Sequence, residues 1–236
     1  MTLMIYIRSL LFALVFYPGS LLWVLTALIV APLGPGPLRA VVGSWGWFHR
    51  ITARILLGQK VRIEGVIPDT PMLFVFKHES MFETIDLLCL FHNPMVAAKR
   101  ELIDIPLWGR VARAYGMIIV EREAGARAMR SMRRTAVKAL AEGRPICLFP
   151  EGTRVSHGDA PEIRAGFAGL YTLLRVPVLP IAVNSGTVAP RNSFLKRPGT
   201  ITYRAGEIIP PGLPREVAEA RAHAAINALN SEVRDS

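Results

Sequence analysis

Ile146–Arg154 reads ICLFPEGTR: an apolar run, Ile146–Phe149, stopped by Pro150 and followed at once by Glu151, Gly152, Thr153 and Arg154. A short apolar run bounded by turn formers is the pattern of a strand buried on both faces. Met72–Lys77 (MLFVFK) has the same build and runs into His78-Glu79-Ser80. Working outward, Lys60–Gly65, Met95–Ala98, Met117–Val120, Val178–Val183 and Thr200–Arg204 read as further strands. Between and after them, helices are expected over Met81–Phe91, Leu107–Tyr115, Ala126–Glu142, Gly166–Arg175 and Arg215–Val233, with Gly143 a stop signal for the third. Strands alternating with helices predict an α/β fold, with a mainly parallel or mixed sheet flanked by helices.

In such sheets ligands bind beyond the carboxyl ends of the strands. Polar clusters follow four of the strands: His78-Glu79-Ser80, Lys99-Arg100, Glu121-Arg122 and Glu151-Gly152-Thr153-Arg154. One rim therefore collects a histidine, carboxylates and several cations. Converging cations suit an anionic ligand, and a histidine beside a carboxylate suits proton transfer near neutral pH. His49, His92, His157 and His223 are too scattered to suggest a metal site, and neither a metal nor a bound cofactor is expected. The two cysteines, Cys89 and Cys147, exclude a disulfide framework. They sit in apolar runs and read as buried free thiols in a reducing compartment.

The N-terminus has a different character. Ser9 to Leu38 carries no charged residue, and a bilayer core needs about 20 apolar residues as helix. Pro18-Gly19 predicts a kink or break, which leaves one tilted, kinked span or two short helices dipping into one leaflet. A signal peptide is disfavoured by the length of the run and the lack of an Ala-x-Ala cleavage signature. Pro32–Pro37 (PLGPGP) reads as a linker. Leu38–Leu57, with Trp45, Trp47, Phe48, Ile51 and Ile55 among Arg39, His49, Arg50 and Arg54, reads as an amphipathic helix, at a membrane interface or facing a core. Cations accumulate after the apolar run, so the positive-inside rule places the main domain on the cytoplasmic side. Residues 1–57 are thus expected to form a membrane-anchoring, interfacial segment and residues 58–236 the α/β domain. A net charge of +10 with 51% hydrophobic residues excludes a disordered chain and calls for an anionic partner. The apolar segment, and the absence of a basic aromatic recognition element, favour a phospholipid membrane over nucleic acid.

At four blocks the sequence resembles the glycerolipid acyltransferase family, in its bacterial 1-acylglycerol-3-phosphate acyltransferase (PlsC-like) branch. His78–Glu83 is similar to the family's His-x4-Asp block, and Gly116–Arg122 to its Gly-apolar-Arg block. Phe149–Arg154 matches the Phe-Pro-Glu-Gly-Thr-Arg signature letter for letter, and Val176–Ile181 is similar to the Pro-containing strand. The resemblance covers roughly residues 60–205, with the blocks in family order. It implies transfer of a fatty acyl group from acyl-CoA or acyl carrier protein to the 2-hydroxyl of 1-acylglycerol 3-phosphate (lysophosphatidic acid). The product would be phosphatidic acid, made at the cytoplasmic face of the inner membrane. His78 would be the general base. Arg122, Glu151, Gly152, Thr153 and Arg154 would bind the acceptor, with Lys99 adding charge to the phosphate or polarising the thioester carbonyl.

One position departs from the family. The usual Asp is replaced by Glu83, with Asp86 and Glu79 as rival partners of His78. Ser80-x-x-Glu83 is also a capping box, so Glu83 has a structural reading beside the catalytic one. Another lyso-lipid acceptor, such as a lyso-ornithine lipid, keeps the same chemistry. A non-catalytic basic membrane-binding protein would account for the charge and the apolar N-terminus but not for the intact signature.

Overall fold

The computed structural model describes residues 2–99, 103–120 and 125–231. Seven strands form one sheet in the order β1-β7-β6-β2-β5-β3-β4: β1 (Gln59–Glu64), β2 (Leu73–Phe76), β3 (Met95–Lys99), β4 (Ile118–Val120), β5 (Ile146–Leu148), β6 (Val178–Val183) and β7 (Gly199–Ala205). β6, β2, β5, β3 and β4 are mutually parallel. β7 runs antiparallel to β6 and parallel to β1, so the sheet is mixed. The central strands β2, β5 and β6 are buried at every residue, which is why each appears in the sequence as an unbroken apolar run rather than an alternation.

Alternate residues of β2 feed two layers. Phe74 and Phe76 join Leu179, Ile181 and Tyr203 in a core completed by α3 (Phe82–Leu90) and the N-terminal helices. Leu73 and Val75 face the other way, with Ile146, Leu148 and Val178, toward α5 (Gly125–Ala141), α6 (Ala165–Leu174) and α7 (Arg215–Ile226). The short helix α4 (Trp108–Tyr115) precedes β4. α7 stops earlier than the sequence pattern suggests. Asn227 ends it, its side-chain amide donating back to the His223 carbonyl at 2.8 Å.

The N-terminal segment is one continuous helix rather than two short ones. α1 (Thr2–Val30) runs through Pro18 as one helix, then a 3₁₀ turn (Ala31–Leu33) leads into α2 (Pro35–Thr52) and a π-turn (Ala53–Leu57). Gly19 is a packing position rather than a hinge: a Cβ there would meet the Phe48 ring of α2 at 2.5 Å. Pro35 and Pro37 do not form a linker but open α2, where their missing N–H groups cost nothing. Phe12 and Phe16 of α1 bury their rings in the same core as β2 and β6. The expected boundary at residue 57 thus falls between elements that share one hydrophobic core. The outer face of α1 stays apolar and uncovered, with Leu3, Met4, Leu14, Leu22 and Ile29 all more than 60% exposed. Thr2–Leu33 is long and apolar enough to cross a membrane, by length and composition.

One ion pair locks α2 to α3. Arg50 donates from Nε to Asp86 Oδ1 at 2.6 Å and from Nη2 to Oδ2 at 2.7 Å, with Asp86 wholly buried. Close approach of the helices is set at Gly46, where a Cβ would lie 2.6 Å from that of Leu88. Burial pushes the Asp86 carboxyl above its usual range, against the pull of Arg50. Removing one partner of such a pair costs about 3–5 kcal/mol, whereas replacing both by apolar groups is near neutral. Arg50→Met and Asp86→Asn should therefore each lower the unfolding midpoint of detergent-solubilised protein, and Arg50→Met/Asp86→Leu should recover most of the loss. Single variants as stable as the parent would show that this pair does not hold the helices.

Candidate active site

The chain leaves β2 with the Lys77 N–H bonded to the Ile181 carbonyl of β6, then turns through His78–Met81 into α3. Glu83, wholly buried in the first turn of α3, holds that turn. Its Oε1 lies 3.0 Å from His78 Nδ1 and accepts the main-chain N–H groups of Glu79 (2.7 Å) and Ser80 (2.6 Å). Its Oε2 accepts the Ser185 hydroxyl at 2.6 Å. The Ser80 hydroxyl in turn accepts the Phe82 N–H at 3.1 Å. The N-cap position falls at Met81 rather than the expected Ser80, and Glu83 binds the turn that precedes the helix while pairing with His78; Asp86 is occupied by Arg50. A carboxylate only accepts hydrogen bonds, so His78 carries its proton on Nδ1 and presents the lone pair of Nε2. The imidazole stacks on Phe149, ring centres 4.0 Å apart, and keeps 16% of its side chain exposed at the rim.

Glu151 does not face a ligand. It is 2% exposed, and both its oxygens turn inward. Oε1 pairs with Lys77 Nζ at 2.7 Å, and Oε2 accepts the main-chain N–H of His78 at 2.9 Å. Lys77 has no exposed side-chain surface; its other two donors reach the Asp159 carbonyl (2.5 Å) and Asn227 Oδ1 (2.6 Å). Asn230 Nδ2 donates to the same two acceptors, at 3.1 and 3.0 Å. Burial pushes the Glu151 carboxyl upward, opposed by Lys77 and the His78 N–H. The sequence-based expectation of a substrate contact at Glu151 is thus replaced by a buried strut behind His78.

The rest of the signature turn reaches the surface. Gly152 takes φ 70°, a left-handed conformation that favours glycine, and the Val155 N–H returns to the His78 carbonyl at 2.8 Å. Thr153 and Arg154 are half-buried on the rim beside it. The Arg154 carbonyl accepts from Arg191, and burial together with the Arg154 charge lowers the Lys196 ammonium. Lys99 closes β3 on the same rim, with its side chain outside the described residues; Arg122 lies outside them altogether. Lys77, Ser185 and Gly186 were not anticipated from the sequence. Each follows a buried strand at its carboxyl end, so the rule that found His78 also pointed to them. Lys77 closes the apolar run that reads as a strand, and Asn184-Ser185-Gly186 carries no charge.

A histidine backed by a buried carboxylate, beside a cationic turn at the carboxyl ends of an α/β sheet, equips a general-base enzyme for an anionic substrate. The sequence model of the Acyltransferase family matches residues 59–184, more than half of the chain, and the chain belongs to that family. It is 30% identical over 225 residues to the 1-acyl-sn-glycerol-3-phosphate acyltransferase of Pseudomonas aeruginosa, covering 94% of this chain and 86% of that protein. Against the enzyme of the same name from Cocos nucifera the identity is 26%, over 78% of this chain and 61% of the other. The crystal structure of the 1-acyl-sn-glycerophosphate (LPA) acyltransferase PlsC from Thermotoga maritima shares the fold. The TM-score is 0.73, over 97% of this chain and 99% of that one, at 22% identity. The protein is accordingly an O-acyltransferase with a mixed sheet flanked by helices and an N-terminal apolar helix.

The Lys77–Glu151 pair predicts a specific failure. Lys77→Met leaves the Glu151 carboxylate buried and uncompensated, a loss of about 3–5 kcal/mol, and should depress the unfolding midpoint sharply. Lys77→Met/Glu151→Leu should regain stability without regaining turnover, because the His78 N–H has lost its acceptor. A double variant with parental kcat would remove Glu151 from the positioning of His78.

Proposed function

We propose that the protein transfers a fatty acyl group from a thioester, acyl-CoA or acyl carrier protein, to the 2-hydroxyl of 1-acylglycerol 3-phosphate, yielding phosphatidic acid. The observation that carries this reading is the His78–Glu83 pair, set on the same rim as the half-buried Arg154. The names of the relatives point to the same acceptor.

The chemistry follows from the tautomer. The lone pair of His78 Nε2 takes the proton of the acceptor hydroxyl as its oxygen attacks the thioester carbonyl. Glu83 stabilises the imidazolium that forms. The tetrahedral intermediate collapses with cleavage of the C–S bond, and the departing thiolate recovers the proton from His78. An ester and a free thiol result, with no acyl-enzyme. Glu83 serves in place of the family's Asp because it reaches back from the first helical turn while keeping its hold on the Glu79 and Ser80 amides. Arg154 and Thr153 hold the acceptor phosphate, joined by Lys99 and Arg122. Glu151 acts from behind, on the His78 main chain.

The uncovered apolar face of α1 and the exposed Trp47, Ile51 and Ile55 after it fit insertion into a phospholipid membrane. By the positive-inside rule, the cations that follow the apolar run support a catalytic rim on the cytoplasmic face. A lipid acceptor and product would then exchange without leaving the bilayer surface.

Purified protein offered a panel of lyso-acceptors with labelled acyl-CoA or acyl carrier protein should acylate 1-acylglycerol 3-phosphate preferentially. His78→Ala should lower turnover by about 10²–10⁴-fold. Glu83→Gln, whose amide oxygen can still accept the Glu79 and Ser80 N–H groups, should lower kcat with little change in unfolding midpoint. Transfer to none of the acceptors, or full turnover by His78→Ala, would refute the reading.

A further inference from the structure

A second histidine–carboxylate pair stands beside the first. Glu79 is wholly buried. Its Oε1 lies 2.9 Å from His157 Nδ1, and its Oε2 accepts the Gly186 N–H at 2.7 Å. The two pairs are joined at both ends. The Glu79 N–H donates to Glu83, and consecutive residues after β6 supply the remaining donors, Ser185 to Glu83 and Gly186 to Glu79. Gly186 is there for closeness. A Cβ on it would fall 2.8 Å from Glu79 Oε2 and 3.3 Å from the Cβ of His157.

His157 itself belongs to the loop that carries Arg154, and Val155, two residues before it, is bonded to the His78 carbonyl. Its side chain is 21% exposed, close to the figure for His78, and among the described residues its Nε2 has no hydrogen-bond partner. A buried carboxylate is costly unless it is fully engaged. Glu79 meets that requirement by holding one imidazole nitrogen and leaving the other at the rim. With Nδ1–H donated to Glu79, Nε2 is left with a lone pair, as at His78, and becomes an N–H donor when a bound anion brings a second proton to the ring, with Glu79 as its countercharge. The group that suits such a donor, on a loop already carrying Arg154, is a phosphate monoester, an acceptor of several charge-assisted hydrogen bonds.

We propose that His157, oriented by Glu79, binds the phosphate of the acylation acceptor through Nε2–H and so helps select a phosphate-bearing lyso-lipid. The inference rests on the acceptor assigned above. The experiment therefore has two arms. In the first, the wild-type enzyme is given 1-acylglycerol 3-phosphate and the matching 1-acylglycerol, with one acyl donor. In the second, KM for acceptor and donor and kcat are measured for two variants that divide the imidazole between them. His157→Asn keeps a donor near Nδ1 for Glu79 and lacks the outer nitrogen. His157→Gln keeps a donor near Nε2 and gives up the tie to Glu79.

The expected result is a strong wild-type preference for the phosphate-bearing acceptor. His157→Asn should raise acceptor KM roughly 10- to 150-fold, the range for a charged hydrogen bond. Donor KM and kcat should stay within a few-fold, and His157→Gln should recover part of the affinity. A purely structural His157 would give the reverse, with His157→Asn active and His157→Gln impaired, and would overturn the inference. So would a phosphate-selective wild type whose acceptor KM is unmoved by His157→Asn, or a loss confined to kcat. A wild type indifferent to the phosphate would overturn the acceptor assignment, and this inference with it.

Discussion

A carboxylate with no exposed surface must have its oxygens occupied from within the protein, and Glu83 meets that demand with four partners. Much of the site follows from it. The two amides it accepts fix the turn between β2 and α3, and hence where α3 begins. The imidazole it accepts has its tautomer set. The hydroxyl it accepts ties the end of β6 to the end of β2 across the rim. A shorter carboxylate on the same backbone atom would have to give up reach toward either the amides or the ring, so the methylene that separates Glu from Asp belongs to the way this turn is built.

The regular part of the fold was legible because burial on both faces leaves a plain trace in sequence. β2, β5 and β6 are unbroken apolar runs, and β6 occupies the span read for it, Val178–Val183. Strand direction at the edge left no such trace. Whether β7 lies parallel or antiparallel to β6 depends on how the chain returns between Asn184 and Pro198, and no local propensity encodes that. Pro18 alone leaves a kinked helix and a broken one equally open, and the packing of Gly19 against Phe48 goes with an unbroken α1.

The site was legible in part for a related reason. His78, Glu83 and Arg154 stand out as charged or titratable residues just past apolar strands. Lys77 and Glu151 carry charges too, yet they neutralise each other in the interior. A charge spent on an internal partner looks the same in sequence as one kept for a substrate. The identity of the partner, here a lysine at the strand end rather than an arginine of the rim, is fixed only by tertiary structure. The same ambiguity separated Asp86 from Glu83. Both follow His78 within two helical turns, and the arginine that claims Asp86 lies far upstream in α2.

The reversed edge of the sheet bears on how an α/β scaffold could serve a lipid acceptor. Because β7 runs back along β6, the connection from Asn184 to Pro198 never crosses a face of the sheet. It stays at the carboxyl ends of the parallel strands, where Ser185 and Gly186 meet the two buried glutamates. β1 runs parallel to β7, with Gln59 opposite Gly199, so β1 too begins at that end. The π-turn that closes α2 leads directly into it, and Ser9 of α1 bonds the Lys196 main chain of the same connection. Had β1 and β7 been parallel to the other strands, their first residues would lie at the opposite end of the sheet, with α1 and α2 anchored there. While the last turns of α1 pack with Val111 and Tyr115, one inversion of strand direction thus places its first turns and the histidine rim at the same end of the sheet. An enzyme that drew its acceptor from a bilayer would need them together.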